Sequence, residues 1–315
     1  MVDFAIATVG LVMLVLAGDA LVRGAVNVSL RLGVPALIVS LTIVSVGTSA
    51  PELLVSFSAA YEGVPGIALG NVIGSNTANV LLVLGVPALL FGLATRDCDA
   101  RGSYVHMLIA SVAFTALCAT GLITFWMGLA LITAFMAFMI YAGWLATRAR
   151  APGAEVDEEE VEGADAGMSW RKISLFLALG LIGLPIGAEL LVTSATRIAQ
   201  SFDVSDAVIG LTLVAVGTSL PELATTISAA YRRQADVAIG NVIGSNLANV
   251  LLIIGATAIF VPIPVPQDVL MHDVSVMLIA SFVMLPFVFA RTNMTRIWGA
   301  TFTFGYVAYV VSLFV

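Results

Sequence analysis

The sequence predicts an all-α polytopic membrane protein whose ten transmembrane helices form two inverted five-helix repeats, with broken helices at a central ion site. Three observations carry that reading: apolar composition, a one-sided placement of basic residues, and an internal duplication. Hydrophobic residues fill 60% of the 315 positions and charged ones only 10%, and mean hydropathy is +1.07. A soluble globule carries about 25% charged residues, so this chain could not cover itself in water. Its apolar runs are continuous and long enough to cross a bilayer, which takes roughly 20 helical residues. A closed β-barrel would instead alternate over segments of about 10.

Apolar runs between charged or turn-rich breaks place the helices in order near 3–27, 34–60, 66–94, 104–123, 125–147, 172–198, 204–230, 236–260, 268–290 and 296–315. The first run follows Met-Val-Asp, without the basic region or cleavage site of a signal peptide, so it is expected to stay as a span. The stretch 104–147 is too long for one helix and is divided near Thr120–Gly121. With ten spans, Arg23, Arg31, Arg96, Arg101, Arg148, Arg150, Arg171, Lys172, Arg232, Arg233, Arg291 and Arg296 fall on one side, and only Arg197 on the other. The basic side is cytoplasmic by the positive-inside rule, so both termini are expected outside. Without the division at Thr120 that asymmetry would scramble.

A shift of 170 residues aligns 41–85 with 211–255 without a gap, and 28 of those 45 positions are identical. Gly-Thr-Ser-x-Pro-Glu-Leu recurs at 47–53 and 217–223, and Gly-Asn-Val-Ile-Gly-Ser-Asn-x-Ala-Asn at 70–79 and 240–249. Five spans per unit is odd, so the second unit enters the membrane from the opposite side. The expected division is 1–147, an acidic cytoplasmic linker at 148–171, and 172–315. Inverted repeats are a recurrent device of secondary transporters, which hold substrate at the repeat interface near the midplane.

Several classes are excluded. Most of the net charge of −7 comes from Glu155, Asp157, Glu158, Glu159, Glu160, Glu162 and Asp165 in the linker, which lack the spacing and turn glycine of an EF-hand. Cys98 and Cys118 form no CxxC pair, and His106 and His272 are isolated, with no HExxH. No nucleophile–base pair or catalytic metal motif is present, so the chain is not expected to be an enzyme or to carry a cofactor. The lipid bilayer is the expected partner; no obligatory protein partner and no nucleic acid is indicated.

The chemistry sits where the helices should be unbroken. Pro51 and Pro221 donate no backbone hydrogen bond and clash with the preceding turn, partly freeing carbonyls near Gly47–Thr48 and Gly217–Thr218. In hydrocarbon, freed carbonyls must find a partner or line a cavity. Glu52 and Glu222 lie deep in the same spans with no interior arginine or lysine beside them, which makes a bound cation their simplest partner. Asn71, Ser75 and Asn79 form an i, i+4, i+8 stripe that Asn241, Ser245 and Asn249 repeat, with Gly70, Gly74, Gly240 and Gly244 beside it for close backbone approach. Two carboxylates with hydroxyl, amide and carbonyl oxygens, and no thiol or imidazole, suit a hard cation. Calcium fits with six to eight such oxygens, sodium fits too, and magnesium fits less well because it keeps its waters.

The paired Gly-Thr-Ser-x-Pro-Glu and Gly-Asn-x-x-Gly-Ser-Asn segments resemble the two α-repeats of the sodium/calcium exchanger family, within the cation/calcium antiporter superfamily. The resemblance implies that Glu52 and Glu222 both bind calcium and share in binding sodium. It assigns backbone carbonyls of Ser45, Thr48, Ala215 and Thr218 to the cation shells. It gives Ser49, Ser75, Ser219 and Ser245 to flanking sodium positions, and Asn79 and Asn249 to the centre. Some prokaryotic relatives have aspartate at one of the last two positions; here both are asparagine, leaving two formal charges at the centre. The implied function is sodium-driven calcium antiport in a prokaryotic plasma membrane, Ca2+ and Na+ being substrates. A calcium/proton antiporter and a cation channel are the alternatives. Asp19 and Glu189, at matching positions of the first spans, read first as structural or gating pairs with Arg23 and Arg197 and second as an ion-entry relay.

Overall fold

A long apolar run in lipid must pair every backbone N–H and C=O within itself, which a helix does. The computed structural model, which describes residues 2–148, 165, 167–202 and 217–313, is helical almost throughout. In the first half α1 spans Val2–Leu32, α2 Ala36–Thr48, α3 Ala50–Tyr61, α4 Pro65–Phe91, α5 Arg101–Cys118 and α6 Phe125–Arg148. In the second, α7 spans Trp170–Ser201, α8 Leu220–Tyr231, α9 Ala235–Phe260, α10 Gln267–Phe289 and α11 Arg296–Ser312. Among the described residues six helices are long and apolar enough to cross a membrane, or seven if the bent α2–α3 pair is one span.

The sequence predicts ten. Of the others, α5 and α11 have 18 and 17 residues, and α8 has 12. The stretch 204–216, which would precede α8 in the seventh predicted span, lies outside the described residues, as does most of the acidic linker. Helix α5 stops at Cys118 rather than 123, because Gly121 turns the chain at φ 79° and Thr120 Oγ donates to the Leu117 carbonyl at 2.7 Å. The division expected at Thr120–Gly121 is thus where the chain turns.

Two short backbone ties join the loops. Strand β1 (Leu122–Ile123) pairs antiparallel with β2 (Ile263–Pro264), linking the α5–α6 and α9–α10 turns. Leu93 and Met294 form a second bridge, linking the α4–α5 and α10–α11 loops. Each tie joins loops that a ten-span threading puts on one face.

Helices α1 and α7, equivalent under the 170-residue shift, pack antiparallel. Gly10 lies against the backbone of Gly187 and Leu191, Ala17 against Gly183, Leu21 against Gly180, and Gly24 against Leu177. Small residues let helices approach closely where lipid offers no hydrophobic drive to associate. Helices α4 and α9 are the enclosed centre, carrying Leu69, Val72, Ile73, Val242, Ile243 and Ile254 in the core. The periphery is the reverse of a soluble surface: Trp126 is 73% exposed and Ile140 70%. Such faces belong against lipid.

Candidate cation site

The two proline motifs start a helix in the same way, and at the first the break before it is described. Helix α2 ends at Thr48 and α3 starts at Ala50, at an angle of 43°, with Ser49 between them at φ −80°, ψ 8°. Ser219 stands before α8 at φ −87°, ψ 4°. Glu52 and Glu222 therefore occupy the first turns of α3 and α8, where unpaired N–H groups and the helix dipole favour an anion. Both glutamates are fully buried, and among the described residues neither forms an ion pair.

Around them the structure gathers hydroxyls and amides from both halves. Ser49 Oγ donates to Glu222 Oε1 at 3.1 Å, and Ser245 Oγ to the same oxygen at 3.5 Å. The equivalent bonds to Glu52, from Ser219 and Ser75, are not made. Ten buried side-chain atoms have no hydrogen-bond partner among the described residues. Seven of them are here: Glu52 Oε1 and Oε2, Glu222 Oε2, Ser75 Oγ, Ser219 Oγ, Asn79 Oδ1 and Asn249 Oδ1. All seven are oxygens. Buried polar atoms are normally paired, so such a cluster marks a place built for something positively charged. No three His, Cys, Asp or Glu side chains come together among the described residues; the oxygens here come from two carboxylates with hydroxyls and amides.

The other predicted residues divide. Thr48 Oγ donates to Asn241 Oδ1 at 3.3 Å, and Thr218 Oγ to Asn71 Oδ1 at 3.5 Å. The Ser45 carbonyl, which the resemblance gives to the cation shell, accepts the Ser49 N–H at 3.0 Å and also lies 3.3 Å from Thr48 Oγ. Ala215 lies outside the described residues. Asn71 and Asn241, the first residues of the two stripes, act as braces. Their amides donate to the backbone carbonyls of Glu52 and Glu222 at 3.2 and 3.4 Å, and to Ser56 and Thr226 at 3.0 and 3.2 Å. Their own oxygens face the hydroxyls of Thr218 and Thr48. Gly240 and Gly244 do receive the backbone of α2, at Leu37 and Leu41, while Gly70 and Gly74 have no such neighbour among the described residues.

Sequence reasoning gave no role to Asn76 and Asn246. Asn79 Nδ2 donates to Asn246 Oδ1, and Asn249 Nδ2 to Asn76 Oδ1, both at 3.0 Å. The signal was available: each is an asparagine inside a span, three residues before a candidate ligand on the same helix face.

Away from the centre, Asp19 bonds Arg23 at 3.1 Å as expected, and also pairs with the buried Arg232 of the other half. The pairing of Glu189 with Arg197 is not formed. Arg197 instead reaches Asp3 at 3.6 Å, because α1 and α7 run antiparallel and bring the two helix ends together.

Buried carboxylates among unpartnered oxygens, with no cationic side chain paired to them among the described residues, give the site the chemistry of a membrane cation transporter. Known proteins agree. The profile of the "Sodium/calcium exchanger protein" family matches residues 2–144 and 172–315, so the chain belongs to the sodium/calcium exchanger family, a family of transporters rather than enzymes. It is 34% identical to the sodium/calcium exchanger MaX1 of Methanosarcina acetivorans, over 99% of each chain. It is also 34% identical to the putative antiporter CaxA of Alkalimonas amylolytica, over 88% of this chain and 86% of that one. Among solved structures, the sodium-calcium exchanger NCX_Mj soaked with 2.5 mM Na+ and 0.1 mM Ca2+ superposes with a TM-score of 0.84 at 30% identity, covering 99% of both chains.

Proposed function

We propose that this protein is a secondary active antiporter that exchanges sodium for calcium across the plasma membrane by alternating access. The observation that carries the reading is the set of seven unpartnered buried oxygens, three on two glutamates and four on serines and asparagines, with no cationic side chain paired to the glutamates among the described residues. Calcium takes six to eight oxygens at 2.3–2.6 Å in flexible geometry, and the site supplies hydroxyl, amide and carboxylate oxygens of that kind from both halves. Two carboxylates balance one calcium, while sodium would need more than one ion for the same balance. Because Glu52 and Glu222 serve either cation, loading by one excludes the other, and that competition couples the two fluxes.

In this reading residues 1–147 and 172–315 are two inverted five-helix units, the linker at 148–171 is cytoplasmic, and both termini are outside. The duplicated breaks at Ser49 and Ser219 and the loop ties support the arrangement, and the basic-residue asymmetry supports its sidedness. Ser49, Ser75, Ser219 and Ser245 would take the flanking sodium ions, and Asn79 and Asn249 the centre.

The test is calcium uptake into proteoliposomes preloaded with sodium and diluted into sodium-free buffer at fixed pH. Uptake that requires the outward sodium gradient, and reverses with it, is the expected result. Uptake driven by a proton gradient and indifferent to sodium would replace this reading with calcium/proton antiport. Calcium flux down its own gradient without counter-ion would make it a channel.

A further inference from the structure

The two ends of an amide differ only in what they bond, so an asparagine's orientation is decided by its partners. At the centre of this protein that decision begins at two backbone carbonyls. Asn76 Nδ2 lies 3.3 Å from the Asn246 carbonyl, and Asn246 Nδ2 lies 3.5 Å from the Asn76 carbonyl. A carbonyl oxygen only accepts, so each side chain must put its NH2 there and turn its oxygen the other way. Those oxygens meet the amides of Asn249 and Asn79, each at 3.0 Å. An amide oxygen also only accepts, so Asn249 and Asn79 must answer with NH2. Their own oxygens are then left buried and unpartnered among the described residues, turned away from the asparagine that holds the NH2.

We propose that Asn76 and Asn246 are positioning residues that set the polarity of the two central ligands, forcing Asn249 and Asn79 to present oxygen rather than NH2 to the substrate cation. This rests on the cation-exchange reading of the site. The clasp is reciprocal across the two halves: Asn76 on α4 commands Asn249 on α9, and Asn246 on α9 commands Asn79 on α4. All four are buried, between 0 and 1% exposed, so no water competes for the amides. Without Asn76, Asn249 is free to turn. An NH2 pointing at calcium would replace an attractive dipole with a repulsive one.

A clasp that acts only through polarity makes a specific genetic prediction. A carboxylate offers oxygen from either end and needs no orienting partner. Asn76→Ala should therefore weaken calcium binding by roughly 10- to 100-fold, the usual cost of losing a residue that orients a metal ligand. Added to Asn249→Asp, the same change should cause no further loss, because the Asn76 oxygen then opposes a carboxylate and its removal relieves repulsion. Added to Asn79→Asp, the mismatched pair, it should keep its full cost. The mirror set is Asn246→Ala, relieved by Asn79→Asp and not by Asn249→Asp.

The measurement is calorimetric titration of purified protein with calcium chloride in sodium-free buffer, for each single and double variant. Partner-specific relief is the expected result. An equal loss in every background would make Asn76 a packing residue and overturn the proposal, as would no loss in the parent background. If Asn76→Ala does not fold, the mirror set decides. Failure of both alanine variants to fold even with the matching aspartate present would also overturn it. Absence of calcium binding by the unaltered protein would instead sink the exchange reading on which the proposal rests.

Discussion

Glu52→Gln should abolish calcium binding and at the same time make the ion-free protein more stable. Both carboxylate oxygens of Glu52 are buried without a partner, whereas Glu222 has one oxygen held by Ser49 and Ser245. A calcium ion about 2.4 Å from a unit negative charge gains about 14 kcal/mol gross at an effective dielectric near 20. Desolvation offsets most of that. Removing one partner of a buried charge pair costs about 3–5 kcal/mol net, or roughly 150- to 5,000-fold in affinity. Without ions the balance reverses. Glutamine keeps the shape, removes a buried charge, and brings an NH2 toward the unpartnered oxygens of Ser75, Ser219 and Asn79. Satisfying one such group is worth about 1–3 kcal/mol, a rise in melting temperature of roughly 2–5 °C. The assay is thermal unfolding of the purified variant and parent, in sodium-free buffer with a chelator and again with saturating calcium. A variant that melts no higher than the parent without ions, or that keeps the parent's stabilisation by calcium, refutes the reasoning.

Arg232→Ala removes a buried guanidinium from its pair with Asp19 across the two halves; since Asp19 is a third exposed, the expected cost is about 1–3 kcal/mol, read as a lower melting temperature. Arg197→Ala breaks only a 3.6 Å contact between half-exposed side chains and should change stability by under about 1 kcal/mol; equal effects would contradict the ranking. Gly244→Ala would push a methyl against the Leu41 carbonyl and Ser45 Oγ, an overpacking worth about 1–3 kcal/mol, with weaker calcium binding as α2 is displaced from the site. Asn79→Asp adds a third carboxylate at which protons compete with calcium, so transport should fall more steeply than in the parent as pH is lowered; an unchanged pH profile would place residue 79 away from the ion.

Composition fixes the membrane class, since nothing but lipid tolerates so many exposed apolar side chains. The duplicated Gly-Thr-Ser-x-Pro-Glu could be read as two helix breaks because proline's missing N–H acts locally, and Ser49 and Ser219 are the residues that carry them. Periodicity was less informative at the stripe. Asn71, Ser75 and Asn79 share a helical face in an ideal wheel, yet a π-helical segment begins at Asn79, and another runs through Asn249 from Ala248 to Ile253. Such local widening of the helix leaves no mark in a 3.6-residue pattern. Asn71 and Asn241 lie earlier, on the α-helical stretches, and brace the glutamate backbones through contacts 19 residues apart in sequence that a helical wheel does not show. Long-range pairings were hidden for a different reason. Asp19 sits four residues from Arg23, which the sequence shows, and 213 from Arg232, which it cannot. Arg197 finds Asp3 only because two helix ends meet in space.

The unfilled hydrogen-bonding capacity at the centre also bears on leakage. A carrier that changed face while empty would dissipate the driving gradient, so useful exchange depends on that step being slow. Here an unloaded pocket would take two carboxylates through the middle of the bilayer with no cationic side chain to answer them. At several kcal/mol for each uncompensated ion, the empty return is slowed on the order of 10^4-fold or more. The same want of internal partners that makes the pocket receptive makes a futile half-turn rare. Under the proposed exchange, tight coupling would need no separate gatekeeper: the passenger would complete the wall it passes through.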